Sequence, residues 1–330
     1  MAYARFATAL LIAAFAPLAA QAQMLDLTPD PLRFLSDPAF LPVAGQFDGT
    51  TGYTYTEIRG TSFDDVTGAE RFQLHRWANQ FAQSIAFGIT DDLSLNASIN
   101  YEPFDEAKHE LNGTSVIAAK QSGWTDPFFG VTWRALDQAE APLNLDFFGS
   151  YSPDWIGART GTADEDASAG RGGQAGRVGA AVSEVMRGFT IYGSFFADLL
   201  GQRTVDNSNN GSRAITDSHT NYTLALQTQT RFTEALSLNA GVDHVWASNA
   251  SVFQTGTGLS HLLEPGDSTD VNAGINYHVV PNTLVASLTY EHDFMDPQHT
   301  IFSPESGLDN NTLKARSADV YGAKLSYALP

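Results

Sequence analysis

Leu93-Ser94-Leu95-Asn96-Ala97-Ser98-Ile99-Asn100-Tyr101 alternates strictly between apolar and polar side chains. In an extended chain successive side chains point to opposite faces, so this segment has one greasy face and one wet face. Similar alternation recurs in about twelve stretches, near 46–58, 70–89, 93–104, 124–136, 142–153, 174–186, 189–200, 219–232, 236–248, 269–280, 284–295 and 317–329. Lipid outside and a polar lumen inside give each face its own solvent, and the pattern predicts an all-β chain. The expected fold is a transmembrane antiparallel up-and-down β-barrel of about 12 strands.

The connections support this reading. Short turns are expected at Thr90-Asp91-Asp92, Leu136 to Pro142, Arg187-Gly188, Thr233-Glu234-Ala235 and Val280 to Thr283. Long polar loops are expected at 59–69, 105–123, 154–173, 201–218, 249–268 and 296–316. Alternation of short and long connections, with an even strand count, places the short turns and both termini in the periplasm. A secreted sandwich or propeller also alternates along its strands, but its turns would not switch length so regularly.

Arg5 precedes an apolar run from Phe6 to Leu18, and Ala20-Gln21-Ala22 has the small-x-small form of a signal-peptidase site. Residues 1–22 therefore read as a cleaved signal peptide, and the address as the outer membrane of a Gram-negative bacterium. The chain contains no cysteine, which suits an oxidising periplasm. Pro29, Pro31, Pro38 and Pro42 break any periodicity, so 23–45 is expected to be a proline-rich arm ahead of a 46–330 barrel. The arm is too short to be a folded plug domain. Three places are open to it: free in the periplasm, across the barrel floor, or part-way into the lumen.

The formal charge of −19 argues against a nucleic-acid partner. Much of the acidic excess falls in the long loops, where it keeps the surface soluble or attracts cations. Expected partners are outer-membrane lipid and lipopolysaccharide, the barrel-assembly machinery and a small-molecule solute.

Strand parity sends Arg134, Arg231 and Lys324 into the lumen toward the periplasmic side. It sends Asp198, Asp243, Glu291 and Asp293 there toward the outer side, with Asp243 and Glu291 at similar heights two strands apart. Such charges either form a charge-selective constriction or pair with one another in a packed lumen. Asp206, Ser208, Asn210 and Asp217 follow the outline of a calcium loop, with Gly211 near the turn, although strands flank it and Asp replaces the bidentate Glu. No other cofactor is expected. None of the eight histidines is followed two positions on by serine, so the His-x-Ser pair of barrel phospholipases is missing and no enzyme activity is expected. Tyr321, Gly322, Leu325 and Tyr327 in the last strand have the glycine and alternating hydrophobes of an assembly signal.

Phe87-Gly88-Ile89-Thr90-Asp91-Asp92-Leu93-Ser94-Leu95 resembles a turn of the MetA-like channel family of phenol-degradation pathways. Ser122-Gly123-Trp124-Thr125-Asp126-Pro127, leading into Phe129-Gly130-Val131-Thr132-Trp133-Arg134, is similar to its Gly-x-x-Asp strand entry. The resemblance implies a barrel and a passive route or accessory role for small, often hydrophobic molecules. It implies no particular binding residue. Two further readings stand beside it: a structural or surface-binding barrel with acidic extracellular loops, and a barrel lipid hydrolase.

Overall fold

The computed structural model describes residues 35, 37–111, 114–160, 168–207, 211–280, 283–303 and 306–329, so the segment 1–22, expected to be a signal peptide, lies outside the described residues. Twelve long strands form a ring in which each pairs antiparallel with its neighbours. They are β1 (Phe47–Asp64), β2 (Glu70–Thr90), β3 (Leu93–Leu111), β5 (Phe128–Leu136), β6 (Asn144–Ser152), β9 (Ala175–Met186), β10 (Phe189–Leu200), β13 (His219–Thr233), β14 (Leu236–Trp246), β17 (Ser268–Val280), β18 (Leu284–Met295) and β20 (Asn311–Leu329). The ring closes through β20 on β1, with Gly49 opposite Tyr327 and Tyr55 opposite Tyr321. A closed ring leaves no backbone edge facing hydrocarbon, which is the condition for crossing a bilayer with strands.

The lipid face follows the expected parity. Leu95, Phe129, Val131, Phe147, Ile191, Phe195, Leu224, Leu226, Ile275 and Leu288 are all exposed on the outer surface. Phe87, Trp133, Phe232 and Tyr277 ring the periplasmic end, while Tyr101, Trp155, Trp246 and Phe294 ring the other. The opposite parity is polar. Ser94, Thr190, Ser194, Thr223, Gln229, Ser237 and Asn276 are buried inside the ring.

The long connections differ from their expectation as loops. They hold eight further strands: β4 (Thr114–Trp124), β7 (Ala158–Thr160), β8 (Ser168–Ala169), β11 (Arg203–Asn207), β12 (Arg213–Thr216), β15 (Ala250–Gln254), β16 (Leu259–Glu264) and β19 (Gln298–Phe302). These pair on from β11 through β12, β15, β16 and β19 to the upper part of β20, extending the wall beyond the membrane as a collar. Above the bilayer both faces meet water, so the sequence loses its greasy face while the backbone keeps its ladder.

The collar is tied down at one point by Asp126, only 2% exposed. Its Oδ1 accepts the backbone N–H groups of Trp155 and Ile156 at 2.8 Å each, and its Oδ2 accepts that of Arg171 at 2.7 Å. Asp126→Ala should orphan these donors at a local cost of about 2 kcal/mol or more. Limited proteolysis should then cut between 154 and 171 while the barrel keeps its heat-resistant gel mobility.

Gly88 fixes where the N-terminal arm leaves the wall. Its N–H and C=O bond to Gln46 O and Gly45 N at 3.0 and 2.8 Å, and a Cβ here would land on the Val43 carbonyl. A Gly88→Val variant should expose the 37–45 segment to protease while the twelve-strand ring stays intact.

Candidate functional site

The interior divides into a closed floor and an open upper chamber. At the periplasmic end polar side chains fill the lumen, among them Asn144, Ser183, Thr190, Gln229, Ser237, Asn276 and His278, all buried. The described part of the arm packs against this layer. Ala39 and Leu41 are buried, and so is Asp37. Thr190 Oγ1 donates to Asp37 Oδ2 at 2.6 Å, and the Asp37 Oδ1 takes the Ala39 N–H at 2.9 Å.

Arg134 anchors the other side of the arm. Its Nε and Nη2 donate to the two oxygens of Asp146 at 2.7 and 2.9 Å, and Nη2 also reaches the Ala39 carbonyl at 2.7 Å. The guanidinium is fully buried, so it bridges β5, β6 and the arm in a water-poor layer. Arg231 lies near enough to act electrostatically on Asp37 and His278. Lys324, on the lumen face of β20, packs its stem over Gly52.

Above the arm is a cavity of about 690 Å³. Pro38, Phe40 and Leu41 form its base, and Phe148, Tyr192, Phe196, Arg177 and Asp243 stand on its walls. Arg177 donates Nε and Nη2 to Asp198 at 2.7 and 3.0 Å, while its guanidinium lies 4.1 Å over the Phe196 ring. Phe148 and Phe196 meet edge to face at 6.1 Å. Gly179 sits between these two rings, where a Cβ would crowd both, and this explains the weak alternation of β9.

The lumen face of β14, β17 and β18 is acidic. Cross-strand register aligns Asp243 with Asp270 and Asp270 with Asp293, with Glu291 opposite Asn272 in the next lumen-facing row. Carboxylate oxygens of Asp270, Glu291 and Asp293 all lie within 4.8 Å of one another. Each has lumen parity. Asp270 was readable from the same parity, since Val271, Ala273 and Ile275 face lipid, but it stands at the start of its strand, where a boundary hides it.

Among the sequence-selected charges, then, Arg134 and Asp198 have carboxylate or guanidinium partners that were not singled out, namely Asp146 and Arg177. Asp206 and Asp217 are not brought together. β11 and β12 form a hairpin in which Asp206 opposes Arg213 and Arg203 opposes Thr216. Asp206 is thus near the tip, bonded to Arg213 Nε at 2.9 Å, and Asp217 is at the base. Four residues of extended chain separate their levels by about 13 Å, too far for one ion to take both. Ser208 and Asn210 lie outside the described residues.

Neither His292 nor His219 meets a serine nucleophile in its described hydrogen bonds. His292 Nδ1 bonds Asp319 at 2.8 Å on the lipid face, and His219 Nδ1 contacts the Asp217 carbonyl. A serine and histidine do meet elsewhere: Ser237 Oγ is 3.2 Å from His278 Nε2. Ser237 has no exposed surface, so its hydroxyl belongs to the packed floor and is shielded from substrate. In the last strand Tyr321 and Leu325 face lipid, Gly322 sits against Thr289, and the Tyr327 ring covers Gly49.

A closed twelve-stranded ring with an apolar belt, aromatic rims and a polar interior defines the class: an outer-membrane β-barrel. The COG4313 outer membrane channel from Pseudomonas putida F1 superposes with a TM-score of 0.56 at 13% identity, covering 89% of this chain and 99% of that one. The translocator domain of the autotransporter NalP from Neisseria meningitidis gives 0.46 at 14%, covering 96% and 97%. A TodX monoaromatic hydrocarbon channel mutant gives 0.43 at 12%, covering 89% and 93%. The first establishes a shared fold, and the two looser overlaps carry no argument. No family model matches the chain, and no curated protein matches it in sequence.

Proposed function

We propose that the protein is a passive outer-membrane channel for small solutes, with the chamber above the arm as its way-station and the arm as a removable floor. The carrying observation is that floor. It is noncovalent: Asp37 to Thr190 and Arg134 to the Ala39 carbonyl are single hydrogen bonds to a short arm, while the cavity above is already open. Phe148, Tyr192 and Phe196 on the chamber wall suit a solute with apolar or aromatic surface, in line with the MetA-like resemblance. No covalent chemistry is assigned to the chain. Tyr321, Gly322, Leu325 and Tyr327 are retained as the proposed signal for the assembly machinery.

The test is reconstitution of the processed chain in liposomes, comparing influx of a small aromatic solute with influx of a sugar of similar size. Faster entry of the aromatic, slowed by Phe196→Ser, supports the reading. Equal leak with and without protein for every solute overturns it.

A further inference from the structure

We propose that a cup on the outer wall of β1, β2 and β3 seats a phosphate group of lipid A in the outer leaflet. The place follows from the height of the lipid belt. On β2 the outward-facing residues run from Phe87 at the periplasmic rim through Ile85 and Phe81 to Trp77. Ten residues at about 3.4 Å, tilted by roughly 45°, rise about 24 Å, which matches an apolar band of about 25 Å. Trp77 therefore marks the outer rim, and the next outward residue, His75, stands at headgroup level.

At that level the register aligns three side chains on adjacent strands: Arg59 opposite His75, and His75 opposite Lys108. Neighbouring strands lie about 4.8 Å apart, so the three span the width of a lipid headgroup. Together with Trp77, Thr61 and Gln73 they line a cup of about 380 Å³. Arg59 and His75 have side chains 66% and 46% exposed, and Lys108 is 33% exposed with its ammonium 4.8 Å over the Trp77 ring.

The concentration of cations here is unusual for this chain. It has only four lysines and a formal charge of −19. Lys108 lines the cup, Lys120 meets Glu106 beside it, and Lys314 opposes Thr61 from β20 with its ammonium over Phe63. Three of the four lysines thus gather on one outer face. A free anion would be repelled by the rest of the acidic surface, whereas a lipid held in the leaflet is delivered by the membrane itself.

The acids at the cup have places in this scheme. Glu57 Oε1 accepts Arg59 Nε and Nη2 at 3.0 and 2.6 Å and lies 2.7 Å from His75 Nε2, which fixes the Arg59 and His75 side chains side by side. Glu106 does the same for Lys108 and Lys120, at 2.8 and 3.3 Å. Glu110 is the remaining carboxylate of the cup, and it suits a phosphate that arrives with a divalent counter-ion. The phosphate is held by the fork of Arg59 and the point charge of Lys108, and the first sugar stacks near Trp77.

The experiment is native mass spectrometry of the detergent-solubilised full barrel, with magnesium present, titrated with diphosphoryl lipid A, dephosphorylated lipid A or phosphatidylethanolamine. One lipid A adduct is expected, weakened about tenfold or more in the Arg59→Gln, Lys108→Gln double variant and by a similar factor on removing the phosphates. Lys324→Gln, a lumen change, should leave it unaltered. Heat-modifiable gel mobility confirms that the double variant is folded. Equal binding of lipid A by the double variant, or of dephosphorylated lipid A or phosphatidylethanolamine by the native barrel, overturns the assignment.

Discussion

Replacing Arg134 with alanine should both weaken the barrel and unlatch its floor. Asp146 is only 6% exposed and takes both its strong donors from Arg134, so the variant leaves a buried carboxylate without its counter-charge. Breaking a buried pair in this way costs about 3–5 kcal/mol, far more than the pair contributes over two apolar residues. Urea unfolding in detergent should therefore show a lowered midpoint for Arg134→Ala, largely restored in an Arg134→Met, Asp146→Leu double variant. The arm separates the two effects. Asp37→Ala removes the Thr190 bond from a single strand-free segment and should leave the unfolding midpoint nearly unchanged. Leaving a buried hydrogen-bonding group without its partner costs about 1–3 kcal/mol, so the ratio of open to closed floor should rise about fivefold to a hundredfold. Single-channel recording reads this directly, as longer or more frequent open intervals. An Asp37→Ala channel as quiet as the native one would show that the arm is not the barrier.

The chain displays its membrane portion plainly, because each strand there has two solvents of opposite character. Every expected strand has a counterpart in the ring, and the apolar parity of Leu95 and its neighbours falls on the outside. What the pattern conceals is everything with one solvent. The collar strands are wet on both faces and read as loops. The floor is hidden for another reason. Arg134 can be assigned to the lumen by parity alone, but its attachment to Asp146 and to the Ala39 carbonyl depends on where a proline-rich arm turns, and no periodicity encodes that. The calcium-like spacing failed to specify a geometry for a related reason, since twelve residues arranged as a hairpin separate ligands that a helix-flanked loop would gather.

The acidic wall should make the open channel cation-selective, and neutralising it should erase most of that preference. Asp243 lines the chamber and Asp270, Glu291 and Asp293 share its lumen parity on the next two strands, while the guanidinium of Arg177 is already paired with Asp198. At about 8 Å and an effective dielectric of roughly 40, each unit charge changes the energy of a passing monovalent ion by about 1 kcal/mol. The charges repel one another and share protons and counter-ions, so their effects do not simply add. Even so, a net contribution of about 1–2 kcal/mol favours cations over anions by roughly fivefold to thirtyfold. Reversal potentials across a salt gradient measure the ratio, with Asp37→Ala as the background so that current is large enough to read. In the Asp243→Asn, Asp270→Asn, Glu291→Gln, Asp293→Asn variant the ratio should fall close to unity, and added salt should reduce the native preference by screening. Arg177→Gln should act in the other direction by freeing the Asp198 charge. A selectivity that survives loss of all four carboxylates would place the ion-choosing step outside the chamber, at the acidic loops of the collar.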